Sequence, residues 1–298
     1  MLGELSFSYT HYIRAEIQHL TCYPLSVSLN WPLTAQKETA FFARQTFHHN
    51  VFQKGERTVN DDEWSFNSQV SSQWDGTRHY GYQEPHNVFY NGVTMDDIHK
   101  CDEHGNKSTV NGIHAWSEQG IVGRGILLDF DRWRLATRPN EPFDAFQTYG
   151  ITVEDLKAVA AYQGTEIKFG DILLIRSGYM RQFAEKSAAD LQAYKDISHW
   201  GKGFAGLEQG EHVLKWIWEN FSAVAGDQPS FESWPAKGDY ALHEVLLAGW
   251  GCPIGELFDL EKLSKQCEKE NRWSFFVSSE VCNVPGGVAS PPNILAIF

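Results

Sequence analysis

The sequence has no run rich in lysine or arginine, and its 38 acidic side chains outnumber 25 basic ones, for a formal charge of −13. Such a surface repels a phosphate backbone over most of its area, which excludes nucleic acid as a partner. No apolar stretch approaches the roughly 20 residues that a membrane span needs, and the N-terminal stretch lacks a basic start, an apolar run and a small-residue cleavage site. A cytoplasmic protein with no membrane partner is therefore expected. Cysteine is scarce: Cys22, Cys101, Cys252, Cys267 and Cys282 are scattered, odd in number and without a CxxC pair. That pattern suits reduced thiols and not a disulfide or zinc-knuckle framework. GxSxG, the P-loop, HExxH and a GxGxxG opening a helix are all absent, which narrows the chemistry to other hydrolytic designs or to binding.

Nothing in the 298 residues marks a linker rich in Pro, Gly or Ser, and no period of roughly 20 to 50 residues repeats, so one compact domain is expected. With 42% hydrophobic and 21% charged residues, the chain has the apolar content to bury a core, and disorder is excluded. Thr152, with Asp155 three residues on and Gly164 as a stop, predicts a helix between them. The apolar runs Gly125–Phe130 and Asp171–Gly178 on either side read as buried strands. A second helix is predicted over Leu207–Phe221, followed by a strand over Ser222–Asp227, with further helices over Leu242–Ala248 and Leu257–Lys269 and a late strand over Ser274–Ser279. The second half is thus mixed α/β; the first 120 or so residues read as loops and β-structure.

Two segments gather chemistry. Ser72-Gln-Trp-Asp-Gly-Thr-Arg-His79 packs an acid, an imidazole, an amide and a cation between turns allowed by Gly76 and Gly81. The Asp75 carboxylate can hold a divalent metal or orient an imidazole, and His79 can exchange a proton near neutral pH. A polar loop with an N-capping Asp is the other reading. The second segment, from His243 to Glu256, places an imidazole and a carboxylate at predicted helix ends; with Asp75 they make a set suited to a divalent ion such as Zn or Mn. Read alone, Glu256 is a dipole partner at a helix start. Asp227 closes a predicted strand and is either a site residue or the start of a turn. Arg176 follows another strand and serves an anionic substrate group or a structural ion pair. Trp64, Trp74 and Tyr80 are candidates for an aromatic wall or for the core.

With these residues in hand, the chain resembles the cyclase family that includes kynurenine formamidases and isatin hydrolases. The likeness runs from Val27-Ser-Leu-Asn-Trp-Pro-Leu33, through Gly120-Ile-Val-Gly-Arg-Gly-Ile-Leu-Leu-Asp129 and Gly170-Asp-Ile-Leu-Leu-Ile-Arg-Ser-Gly178, to Asn283-Val-Pro-Gly-Gly-Val-Ala-Ser-Pro-Pro-Asn293. The family's metal motif of His, three residues, His, one residue, Asp, three residues, His falls on Gln69, Gln73, Asp75 and His79. Two histidines are thus glutamines, whose amides are weak ligands for a divalent ion. By resemblance, Asp75 is a metal ligand, His79 the catalytic acid/base, and His243 and Glu256 the downstream ligands. Because the missing histidines belong to one ion of the two-metal members, the resemblance implies at most one metal, Zn or Mn, held by Asp75, His243 and Glu256. It also implies a single α/β domain of the swivelling β/β/α type over residues 25–298, with a β-barrel-like core flanked by helices, and a homodimer or homotetramer. Residues 1–24 match the usual lead-in poorly and read as shortened. The implied activity is metal-dependent hydrolysis of a small aromatic amide, N-formyl amine or cyclic amide. The rivals are a metal-independent cyclase, dehydratase or lactonase, and a non-catalytic small-molecule-binding protein.

Overall fold

The described residues of the computed structural model, 25–37, 40–196 and 203–298, form thirteen strands. In chain order these are Ser26–Ser28 (β1), His48–Gln53 (β2), Asn60–Ser65 (β3), Gln73–Asp75 (β4), Ile121–Leu128 (β5), Tyr149–Ile151 (β6) and Asp171–Ile175 (β7). There follow Ala205–Leu207 (β8), Phe221–Gly226 (β9), Ile254–Glu256 (β10), Ser274–Ser279 (β11), Ala289–Ser290 (β12) and Leu295–Ile297 (β13). Nine of them make one mixed sheet in the order β1-β13-β11-β5-β7-β9-β10-β4-β12. The central run β5-β7-β9-β10 is parallel, and antiparallel strands continue it on both sides. The atypical segment 1–24, with Cys22, lies outside the described residues.

The parallel strands are mostly apolar because both their faces are covered. On one face Ile126, Leu128, Leu173, Ile175, Val224 and Ile254 pack against helices Val153–Gln163 and Glu211–Asn220. On the other, Leu127, Ile172, Leu174, Ala223 and Ala225 meet Trp74, Phe258 and helix Glu261–Glu270. The result is a large mixed sheet flanked by helices, the α/β arrangement expected. No helix among the described residues is long and apolar enough to cross a membrane. Cys101, Cys252, Cys267 and Cys282 are free thiols.

Local signals explain where elements begin and end. Thr152 accepts from the Asp155 amide at 3.0 Å and Gly164 closes the helix at φ 63°, as its sequence predicts. β11 spans the predicted Ser274–Ser279. Other boundaries move. Leu207 is not helical: it is buried in β8 opposite Ile151, so the helix starts at Glu211, and Phe221 opens β9. Phe130 is not strand, because Asp129 accepts from the Arg132 amide at 3.0 Å and caps a helix over Phe130–Thr137. Leu242–Ala248 becomes a π-helical turn over Glu244–Gly249. Leu257 takes φ +54°, which separates β10 from a helix that begins only at Glu261, so Glu256 is a strand residue and not a helix-start one. Gly76 and Gly81 are not left-handed; a side chain on either would press to 2.8 Å from the Val288 carbonyl or 2.9 Å from that of Val88.

Candidate active site

β4 and β10 are hydrogen-bonded neighbours, with Gln73 opposite Glu256, Trp74 opposite Gly255 and Asp75 opposite Ile254. Side chains alternate along a strand, so Gln73, Asp75 and Glu256 share one face and Trp74 takes the other. His79 is added by the turn after β4, whose amide donates to the Gly76 carbonyl at 2.9 Å. His243 comes from the residue preceding the π-helical turn. Its Nε2 lies 3.8 Å from Asp75 Oδ2 and 3.2 Å from Glu256 Oε1, while His79 Nε2 lies 3.8 Å from the same Asp75 oxygen. Potential ligand atoms of Asp75, His79 and His243 all fall within 4.8 Å of one another. The structure therefore brings together four side chains that the sequence separates by up to 181 positions (75 to 256).

The hydrogen-bond network assigns each ring a role. Glu232 Oε2 meets His243 Nδ1 at 2.6 Å, so that nitrogen donates, and the neutral form of the ring would turn its Nε2 lone pair toward Asp75 and Glu256. This is the arrangement by which a carboxylate orients a metal-binding histidine. Gln69 sets the opposite tautomer on His79. Its Oε1 accepts from Arg44 Nη2 at 2.5 Å, which turns its Nε2 toward His79 Nδ1 at 3.2 Å. Nδ1 of His79 thus accepts, and its proton sits on Nε2. In this tautomer His79 turns an N–H and not a lone pair toward the site, although its distance also places it among the potential ligand atoms. Gln73 Nε2 donates to Glu256 Oε2 at 2.8 Å, and Glu256 Oε1 also accepts from the Phe231 amide at 3.0 Å.

Both oxygens of Asp75 and Oε1 of Gln73 are buried with no hydrogen-bond partner among the described residues. A fully buried carboxylate without donors is destabilising unless a cation compensates it; His79 and His243 offer ligand atoms within 4.8 Å of it, and Glu256 Oε1 lies 3.2 Å from His243 Nε2. Three acids around one imidazole favour a protonated His243 when no other cation is present. Burial opposes charging His243, but Glu232, Asp75 and Glu256 around it hold its pKa well above the ordinary value. Burial, aided by the neighbouring Asp75 charge, pushes the Glu256 carboxyl up. Burial also drives His79 down to about 4, so its ring is neutral near pH 7.

These groups border a cavity of about 250 Å³ whose lining includes His79, Glu232, His243 and Glu256 alongside the rings of Phe42, Tyr80 and Trp234. Tyr80 stands 5.6 Å from the His243 ring, centroid to centroid. Four candidates lie elsewhere. Trp74, fully buried, packs edge-on to Phe258 at 5.1 Å on the far face of the sheet, because the pleat turns it away from its neighbours. Trp64 is 60% exposed on the β2–β3 hairpin, its indole donating to Asp62. Arg176 is bound at 2.8 Å to Asp129 and to Glu261, a structural ion pair with no donor aimed at the cavity. Asp227 accepts from Ser177 N and Oγ at 2.7 Å and from the amides of Gly178 and Met180, capping helix Tyr179–Glu185. Glu232 and Arg44 went unread in the sequence. Glu232 carried a signal, five residues beyond Asp227 in the same loop after β9, where parallel sheets place polar site residues; Arg44 carried none.

Comparison with known proteins agrees with this fold. Residues 10–233 match the family model described as "Putative cyclase". No curated protein matches. A crystal structure of a novel cyclase is 26% identical, with TM-score 0.77 over 93% of this chain and 89% of that one. Isatin hydrolase A from Ralstonia solanacearum is 15% identical, with TM-score 0.59 over 99% of this chain and 97% of its own. An isatin hydrolase bound to the product analogue thioisatinate is 11% identical, with TM-score 0.61 over 97% and 98%. The last two share the fold. The family match spans about three quarters of the sequence, residues 10–233 of 298, and the chain belongs to the cyclase family.

Proposed function

We propose that this cyclase-family chain is a metal-dependent hydrolase of a small aromatic amide, N-formyl amine or cyclic amide. One observation carries the reading: the Asp75 carboxylate, wholly buried and with no hydrogen-bond donor among the described residues, faces Nε2 of a His243 ring that Glu232 orients through Nδ1. Asp75, His243 and Glu256 would hold the ion, with Glu232 and Gln73 orienting two of them. When bound, a divalent ion there supplies Lewis acidity that acidifies water toward neutral pH. The residues do the rest. Tyr80, Phe42 and Trp234 give a small aromatic substrate an apolar wall and exclude water. His79 presents Nε2–H to the cavity, the proton-donating group placed to meet charge developing on the leaving nitrogen as the carbon–nitrogen bond breaks.

Three results are expected. Elemental analysis of the pure chain should find one divalent ion, and a chelator should remove the ion together with hydrolysis of N-formyl aryl amines, isatin or aryl lactones. His79→Ala should lower turnover by about 10² to 10⁴ while leaving metal content unchanged; metal lost along with rate would return His79 to the ligand set. Glu232→Gln should weaken metal affinity by roughly 10- to 100-fold, read by competition with a chromophoric chelator.

A metal-independent acid/base reading has one observation of its own. A doubly protonated His243 bridges Glu232 at 2.6 Å and Glu256 at 3.2 Å and so ties up two of the three carboxylates. It leaves both Asp75 oxygens without a hydrogen bond, which is why the metal reading is preferred. Full activity in chelator-treated, metal-free protein would reverse that preference.

A further inference from the structure

Arg44 supplies the sole guanidinium or ammonium group in the cavity lining among the described residues. It makes no ion pair with a carboxylate there. Its two amino nitrogens are instead tethered to one residue, Nη1 to the Gln69 carbonyl at 3.0 Å and Nη2 to Gln69 Oε1 at 2.5 Å. The guanidinium also lies over the Phe42 ring, 5.1 Å from its centroid. The backbone leading to it is unusual: Phe42 and Ala43 both have left-handed φ, 59° and 53°, in the turn Phe41–Ala43. Non-glycine residues are held so only where their surroundings demand it. Here the ring of Phe42, packed at 5.8 Å on Trp234, and the fork of Arg44 are both delivered to the cavity.

A partly buried cation with an immobilised, planar, two-pronged donor face and unsatisfied N–H capacity is built to receive a carboxylate. The charges permit one. The site holds three carboxylates, Asp75, Glu232 and Glu256; with the histidines neutral, a divalent ion held as proposed and Arg44 would balance them, so an entering anion would meet a neutral pocket and one local fork.

We propose that Arg44, positioned by Gln69, is a carboxylate-binding residue, and that the substrate of this site is an aromatic compound carrying a carboxylate. The inference deepens the hydrolase reading and rests on it for the word substrate, while the anion site itself stands on the geometry of Arg44. It also gives Gln69 a use of its own. In place of a metal-ligating imidazole stands an amide that fixes a guanidinium with one end and the His79 tautomer with the other.

The test is calorimetric titration of the full chain, its metal content measured beforehand, with benzoate and with benzamide, two ligands of one shape that differ in charge. Wild type should prefer benzoate by at least about tenfold. Arg44→Met should erase that preference with metal content unchanged. Arg44→Lys keeps a cation without the fork, and serves if the methionine variant does not fold; it should retain only part of the preference. Equal affinities in wild type, a preference that survives in Arg44→Met, or a lysine variant equal to wild type would each overturn the assignment. Turnover read on the same samples separates the two claims. A chain that selects benzoate but neither holds metal nor hydrolyses loses the hydrolase reading and keeps the carboxylate site. A hydrolase indifferent to charge does the reverse.

Discussion

Asp75→Asn should leave a folded protein that neither holds a divalent ion nor turns over. The substitution is nearly isosteric, so the strand pairing of β4 with β10 and β12 is untouched. It replaces the one buried carboxylate among the described residues whose oxygens both lack a hydrogen bond with a neutral amide, a poor ligand. A ligand that merely supports the site costs 10- to 100-fold when removed, so losing Asp75 itself should exceed about 100-fold in both metal affinity and turnover. Elemental analysis and initial rates are the readouts, with circular dichroism to show the fold intact. A variant that still carries one ion per chain would move the metal centre away from Asp75.

One residue earlier, the opposite failure is expected. Trp74→Ala should reduce stability by about 3–5 kcal/mol, as truncation of a fully buried large aromatic does. Trp74 has no exposure, meets Phe258 edge-on and donates to Ser279 Oγ at 2.8 Å, so its loss opens a void and removes a buried hydrogen bond. Denaturant unfolding measures the change. Whatever folded fraction remains should hydrolyse at close to the wild-type rate per active chain, because Trp74 faces away from the cavity. A stable Trp74→Ala protein with impaired rate would put the indole at the site after all. The two neighbours thus separate chemistry from packing along a single strand.

Elements whose signals are local were legible in the sequence. The helix from Val153 to Gln163 has its cap and its stop within one stretch, and β11 is an apolar run that is read directly. Boundaries failed where tertiary burial overrode pattern: Leu207 satisfies a helical period yet pairs as a strand, and Leu257 breaks a helix by its own left-handed backbone. Within the site, Asp75 and His79 stood out by density of chemistry, and His243 and Glu256 by resemblance. Which way a side chain points was not legible. Trp74 lies between Gln73 and Asp75 in sequence and on the other side of the sheet in space, a consequence of the pleat. Arg176 and Asp227 were polar residues at strand ends, but one is consumed by Asp129 and Glu261 and the other by a helix start. Glu232 had only its place in the loop after β9 to mark it, and Arg44 is recognisable only through what it touches, Gln69, a contact that exists only once the chain has closed on itself.

The pairing of Gln73 with Glu256 joins positions 183 apart. During synthesis, Asp75 and His79 therefore leave the ribosome long before β10 exists to complete their surroundings. Contacts of such sequence separation form late, since the entropy of closing the loop must be met first. A slip of one residue between these strands would turn Glu256 to the wrong side. On the proposed metal reading, ion capture would be a mark of maturation: a growing or misregistered chain would offer only isolated oxygens and an unpaired imidazole, and high-affinity loading would be reserved for molecules that have finished folding.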